Sequence, residues 1–206
     1  MKNILDALAS GRTVSDREFD LFYPNDYQGL SEYHFTPVEV AKRAAELLTV
    51  NSETRILDVG SGLGKFCFVG ALTSQAHFTG VEQRAHLVRI SKQIALQYRV
   101  PRVEYVEGDV RALDWTQFQS FYLFNPFIEN LYPSEQKIDE TVESTEQRYK
   151  ELIRWVQKRL HLMPVGTRVA TFHGFGGDMP PGYVLHVKEE FGSDFLRLWI
   201  KDAEVQ

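Results

Sequence analysis

Between about residue 37 and residue 160, short β-rich runs alternate with segments whose apolar positions recur at helical spacing. The helical segments are 37–49, 66–74, 84–98 and 144–160. In the last, Tyr149, Leu152, Ile153, Val156 and Leu160 form one apolar stripe suited to docking on a sheet. The β-rich runs are 54–59, 76–82, 103–108, 120–125 and 167–173, and such alternation favours a parallel sheet covered by helices. After Pro180-Pro181 the pattern changes to two further β-rich runs, 183–191 and 195–202. Gly192-Ser193-Asp194 separates them, the spacing of an antiparallel hairpin. Residues 1–35 are polar and aromatic (Phe19, Phe22, Tyr23, Tyr27, Tyr33) without a clear period, so they are expected to cap a domain spanning 36–206. Residues 128–143 form a second irregular stretch, acidic in character.

Composition narrows the class. A chain of 206 residues fits one globular domain, and 43% hydrophobic with 25% charged residues is ordinary folded-protein composition. The formal charge is 23 − 28 = −5, which provides no overall footprint for nucleic-acid phosphates or an anionic membrane; neither partner is expected. One cysteine excludes an intramolecular disulfide, and Cys67, within FCFVGAL, is expected to be buried and inert. The first twenty residues have too little continuous apolar length for a signal peptide, and no run of 18 apolar residues occurs, so a cytoplasmic protein is expected. No His/Cys/Asp/Glu cluster has metal-ligand spacing, and no metal is expected.

The strongest signal is ILDVGSGLGKF at 56–66, an apolar strand running through Gly60, Ser61, Gly62 and Gly64 into a helix. Three glycines remove the side chains that would keep a ligand from the strand–helix turn, although a glycine run alone also fits a tight structural turn. A P-loop is excluded, because Val59 stands where its first Gly belongs and Phe66 follows the Lys. A dinucleotide fingerprint is disfavoured, because Lys65 occupies the place of its third Gly. What remains is D-x-G-x-G-x-G, with Asp58 two residues ahead of Gly60. This resembles motif I of class I S-adenosylmethionine-dependent methyltransferases. The resemblance implies a Rossmann-like, seven-stranded, mostly parallel sheet with a C-terminal antiparallel hairpin in an α/β/α sandwich, and S-adenosylmethionine as cofactor. That cofactor carries an ammonium group and a sulfonium but no pyrophosphate, which suits a carboxylate beside the loop.

Further carboxylates stand at the ends of the next strands. Glu82, followed by Gln83, lies twenty-two positions after Gly60, where an acidic residue can accept ribose hydroxyls. In the resembled family the residue at Asp109 accepts a hydrogen bond from the adenine amino group and the next, Val110, packs on the ring. The fourth strand closes on Asn125-Pro126-Phe127. This resembles a shortened N-P-P-[FY] motif of amino methyltransferases, in which Asn and Pro oxygens accept hydrogen bonds from the nucleophilic nitrogen and the aromatic ring stacks on it. The missing second Pro disfavours adenine or glutamine. Residues 30–127 are more similar to small N-P-F methyltransferases and the related non-SET histone lysine methyltransferases. Those enzymes also have a Tyr-x-x-Thr element over the methionine moiety, here Tyr33 and Thr36; Thr36 followed by Pro37 equally suits a helix N-cap. No basic extension is present in the sequence, so the histone substrate is not carried over. Methylation of an amino nitrogen on protein or a small molecule is therefore expected, with O-methylation of a small molecule or a non-catalytic cofactor-binding module as alternatives. Tyr23, Tyr27 and Tyr33 are candidates to close the site or simply to pack. His173 and His34 are candidate bases or ordinary surface histidines. Arg84, Arg89, Lys92, Arg99 and Arg102 read as a solvated helix face.

Overall fold

Near-continuous apolar runs such as Ile56-Leu57 are found in strands covered on both faces, and in the computed structural model of the protein both residues are fully buried. Residues 1–192 and 194–203 are described, apart from the Glu32 side chain. Ser193, at the centre of the expected hairpin turn, lies outside the described residues. In chain order the elements are α1 (Lys2–Ala9), α2 (Asp16–Asp20), α3 (Val38–Leu48), β1 (Arg55–Val59), α4 (Lys65–Thr73), β2 (His77–Glu82), α5 (Ala85–Gln97) and β3 (Val103–Glu107). They continue through β4 (Ser120–Leu123), α6 (Glu146–Leu162), β5 (Arg168–Phe172), β6 (Tyr183–Phe191) and β7 (Asp194–Lys201).

The seven strands form one sheet in the order β3-β2-β1-β4-β5-β7-β6. The first five are parallel, and the hairpin adds β7 antiparallel to β5 and β6 antiparallel to β7. The expected Rossmann-like architecture is thus present. One core packs the apolar sides of α3, α4 and α5 with Phe19, Phe22 and Tyr23; the other packs α6 with Val110, Trp115 and Phe118. Strand order reverses between β1 and β4, so ligands are expected outside the carboxyl ends of these two strands. Among the described residues no helix is long and apolar enough to cross a membrane.

Residues 1–35 depart from the expected irregular arm. They hold α1, α2 and two single 3-10 turns, Asn25–Tyr27 and Leu30–Glu32. Ser15 and Glu18 form a reciprocal capping box at the start of α2, with Ser15 N–H donating to Glu18 Oε2 at 2.8 Å. Phe19 then meets Phe68 edge-on at 5.2 Å between ring centroids. Beneath this contact the Lys65 ammonium, 1% exposed, pairs with Asp16 and lies 3.6 Å from Asp20. Lys65 also donates to Ser31 Oγ at 2.9 Å. Asp16 accepts the Val38 N–H at 2.9 Å and so caps α3 from outside the helix. The expected cap, Thr36, instead joins its hydroxyl to Tyr122 Oη on β4 at 3.1 Å.

Removing one partner of a buried ion pair strands the other charge, at a cost of about 3–5 kcal/mol. Lys65→Met is therefore expected to lower unfolding free energy in urea by that order, and adding Asp20→Asn to recover part of the loss. A single variant as stable as the parent would contradict the buried pairing.

Candidate active site

The glycine turn between β1 and α4 is held from behind. Gly60 and Ser61 donate their N–H groups to Val81 O at 3.0 and 2.9 Å, and Gly64 donates to Ser61 O at 2.8 Å. Gly62 donates to Glu82 Oε2 at 3.1 Å. Those four N–H groups are therefore satisfied within the protein and are not offered to a ligand. What the turn offers is bare surface. A Cβ at Gly60 would come within 3.0 Å of Pro126, and one at Gly62 within 3.1 Å of Phe35. At Gly64, whose φ is +75°, a Cβ would collide with the Tyr105 ring. Lys65 turns away toward Asp16, and Phe66 stacks on Tyr122 at 4.0 Å in the core, so neither side chain blocks the crevice.

A cavity of about 460 Å³ opens in front of this turn, at the reversal of strand order. Gly60, Gly62 and Glu82 line one side, Asn125, Pro126 and His173 another, and Tyr33, His34 and Phe35 form a roof. Of the expected site residues, Tyr33, Gly60, Gly62, Glu82, Asn125 and Pro126 are thus brought together. Asp58 and Ser61 are buried beneath the turn, with Ser61 Oγ lacking a hydrogen-bond partner. Thr36 is committed to Tyr122, and Gly64 is closed off by Tyr105.

Gln83 and the two residues expected at the adenine, Asp109 and Val110, do not line the cavity. Gln83 accepts from Arg148 at 2.5 Å, and Asp109 is gripped by Arg111, which holds its carboxyl below the usual carboxylate range. Val110 is buried in the core with Trp115, so its side chain has no open face for a ring. Phe127 likewise packs inside that core, 4% exposed, and cannot supply the expected stacking surface. Aromatic walls come instead from Phe35, Phe124 and Phe172.

The segment after Phe127 also belongs to the site, which its irregular sequence did not disclose. Arg84 gathers Glu129 at 2.6 Å and Asp139 at 3.2 Å, and lies 3.7 Å from Glu82. Far from a solvated face, its side chain is only 11% exposed. His34 lies 3.7 Å from Glu129, and burial lowers its pKa. Glu129 and Ile138 consequently line the cavity as a strap across the sheet edge. The two residues at the tips of β4 and β5, Asn125 and His173, both adopt left-handed backbone with φ of 40° and 55°. The Asn125 N–H donates to Gly174 O at 2.9 Å and ties the tips together.

Asp58 carries the clearest electrostatic signature. Among the described residues its carboxyl meets only the Cys67 thiol, at 3.5 Å, and burial raises its pKa from 3.8 to about 7. Among the described residues this buried acid has no protein cation, and the N–H groups of Gly60, Ser61, Gly62 and Gly64 beside it are already engaged, which fits a ligand bearing a positive charge rather than an anion. S-adenosylmethionine, with its ammonium and sulfonium, meets that requirement. Among the described residues no group of three or more His, Cys, Asp or Glu could hold a metal ion.

Because the folded-state pKa of Asp58 lies above its ordinary value, the neutral acid is favoured at low pH and stability is lost as pH rises from about 4 to about 7. Asp58→Asn removes this dependence. Its thermal midpoint is expected to exceed that of the parent by a margin that grows across this range and then levels; parallel midpoint–pH curves would contradict the raised value.

The comparisons agree with this geometry. A family model described as a methyltransferase domain matches residues 50–163. The 23S rRNA (uracil(1939)-C(5))-methyltransferase RlmD of Nitrosococcus oceani is 28% identical over 98 residues, 48% of this chain. That match covers 21% of the relative, so the chain spans about a fifth of its length. An RNA methyltransferase from Salinibacter ruber, solved with S-adenosyl-L-homocysteine, shares 21% identity at a TM-score of 0.60, covering 83% of this chain and 95% of that one. TrmN from Thermus thermophilus shares 17% at 0.57, covering 81% and 49%. At such identities the two structures speak for the fold alone. With the family match spanning more than half of its length, from the strand before the glycine turn to the end of α6, the chain belongs to the methyltransferase-domain family, in the class that uses S-adenosylmethionine.

Proposed function

We propose that this protein transfers a methyl group from S-adenosylmethionine to an amino nitrogen, on a protein side chain or a small molecule, at the tip of β4. The observation that carries this reading is the pair of hydrogen-bond acceptors there. Asn125 and Pro126 line the cavity, and among the described residues neither the Asn125 side chain nor the Pro126 carbonyl has a protein partner. Unused acceptors suit a nucleophile that still carries N–H groups and must present its lone pair in one direction. The similarity of residues 30–127 to N-P-F enzymes supports the same choice, while no histone substrate is assigned.

When bound, S-adenosylmethionine supplies a methyl carbon activated by a sulfonium. Asp58 would hold the ammonium of its amino-acid tail, the Gly60–Gly64 turn would admit the backbone of that tail, and Glu82 would accept the ribose hydroxyls. Gln83 and Asp109 would border the adenine end once Arg148 and Arg111 yield their contacts, while the Val110 side chain stays in the core beneath. Tyr33 and Phe35, on the cap formed by residues 1–35, would exclude water from above, with Thr36 tying the segment that follows them to Tyr122 on β4. Asn125 and the Pro126 carbonyl would orient the acceptor, and alignment of this kind can contribute roughly 7–11 kcal/mol to lowering the barrier.

RNA is the second reading, favoured by the names of the relatives. The net charge of −5 and the carboxylates Glu82 and Glu129 at the cavity weigh against a polyanion. A thiolate-activated carbon acceptor is further disfavoured, because Cys67 is fully buried and its thiol is pushed well up.

Incubation with methyl-labelled cofactor and, separately, a lysine peptide, simple primary amines and short single-stranded RNAs tests the reading. Label is expected on amines. Label on RNA alone would replace this proposal with the second one. Glu82→Ala is expected to weaken S-adenosylhomocysteine binding at least several-fold, about 1.5–3 kcal/mol for hydrogen bonds to a charged group. Asn125→Ala is expected to leave that affinity largely intact and to slow transfer; lost binding with turnover spared would reverse the two roles.

A further inference from the structure

We propose that His173, held by Asp194, is the general base that removes a proton from the acceptor, a role that rests on the amino-nitrogen reading above. His173 directly follows β5 and lines the cavity with Asn125. Its Nδ1 lies 2.8 Å from Asp194 Oδ2, at the start of β7. The other oxygen of that carboxylate is held too: Oδ1 accepts the Phe195 N–H at 2.6 Å and lies 3.5 Å from Arg197 Nη1. The imidazole plane is set by Phe172 and Phe124, whose ring centroids lie 4.5 and 5.5 Å from its own. A neutral histidine donating Nδ1–H to a fixed carboxylate leaves its lone pair on Nε2. Among the described residues Nε2 has no protein partner.

The backbone adds an independent observation. His173 and Asn125 share a left-handed conformation that non-glycine residues seldom adopt, and the Asn125 N–H to Gly174 O bond couples the two tips. Base and acceptor clamp are thereby set side by side. The rival histidine, His34, faces Glu129 at a longer 3.7 Å, and Glu129 is already committed to Arg84. The charged groups facing His173 itself are Asp194 and, behind it, Arg197, both on β7.

An amine at neutral pH arrives as an ammonium ion without a lone pair. One N–H proton passes to His173 Nε2, giving an imidazolium whose Nδ1–H stays with Asp194. The freed lone pair forms the N–CH3 bond, and the electron pair of the broken S–CH3 bond remains on sulfur. The imidazolium then releases its proton to water at the open mouth of the cavity.

The test is methyl transfer to Nα-acetyl-lysine amide by wild type, His173→Gln and Asp194→Asn at about pH 7.5 and about pH 9.5. A general base contributes roughly 10²–10⁴-fold. His173→Gln is expected to lower kcat by that order at the lower pH, with S-adenosylhomocysteine affinity unchanged within about twofold. At the higher pH the deficit should shrink at least about tenfold, because more of an amine of pKa ~10.4 arrives neutral. Asp194→Asn, a positioning change, should show a smaller deficit with the same shrinkage. An undiminished rate for His173→Gln, or an equal deficit at both pH values, would overturn the proposal. Nitrogen-15 spectra of the ring provide a readout that needs no acceptor: Nδ1 protonated and Nε2 bare supports the base, and the opposite tautomer overturns it. Should wild type methylate no amine, the amino-nitrogen reading fails and the base role that rests on it falls too, whereas an active wild type with an undiminished His173→Gln overturns the base alone.

Discussion

The Lys65 ammonium, sealed among Asp16, Asp20 and Ser31, places the first thirty-five residues over the strand tips. It follows Gly64 directly, so the turn that shapes the crevice and the group that anchors the roof are neighbours in the chain. A lysine with this little access to water needs its carboxylate partners. Those partners lie on α2, and from α2 the chain runs through the Leu30–Glu32 turn to Tyr33, His34 and Phe35 above the cavity. Loss of the pairing would therefore be felt at the site as well as in stability.

Charge is distributed across the cavity with a consistent logic. The N–H groups of Gly60, Ser61 and Gly62 are satisfied by β2, the buried Asp58 has no cation among the described residues, and Glu82 is shared between the Gly62 N–H and the Arg84 backbone. Such a floor favours a positively charged ligand and repels a phosphate. At the far wall the acceptors of Asn125 and Pro126 stand beside a histidine backed by a carboxylate, so this half of the cavity presents hydrogen-bond acceptors to whatever enters it. Arg84 reconciles these carboxylates with one another. By binding Glu129 and Asp139 it draws the acidic stretch after β4 against the sheet edge.

Much of the fold was legible in the chain because its signals are local. Apolar runs and helical stripes located all seven strands and α3 to α6 within two residues at nearly every end, and the change of pattern after Pro181 announced the hairpin. The fourth strand ended sooner than expected because Asn125 turns left-handed to meet Gly174, a constraint imposed by a neighbouring strand. In the first thirty-five residues, helices of eight and five residues are too short for periodicity to show, although the Ser15-x-x-Glu18 spacing was a readable start signal. At the site, the glycines, Asp58, Glu82 and Asn125 stood out because a strand end followed by a turn is a local pattern.

What the sequence determined by itself was the parallel sheet, the glycine turn at its reversal and a set of polar residues at successive strand ends, all carried by short-range spacing. Tertiary structure alone decided which of those residues share a cavity. It buried Phe127 and Val110, engaged Asp109 and Gln83 with arginines, turned Lys65 outward to the cap, and brought in His173, Arg84 and Glu129. The physical reason is that side-chain direction at a strand tip depends on which cationic or apolar partner arrives from an element distant in the chain, and no local pattern records that partner.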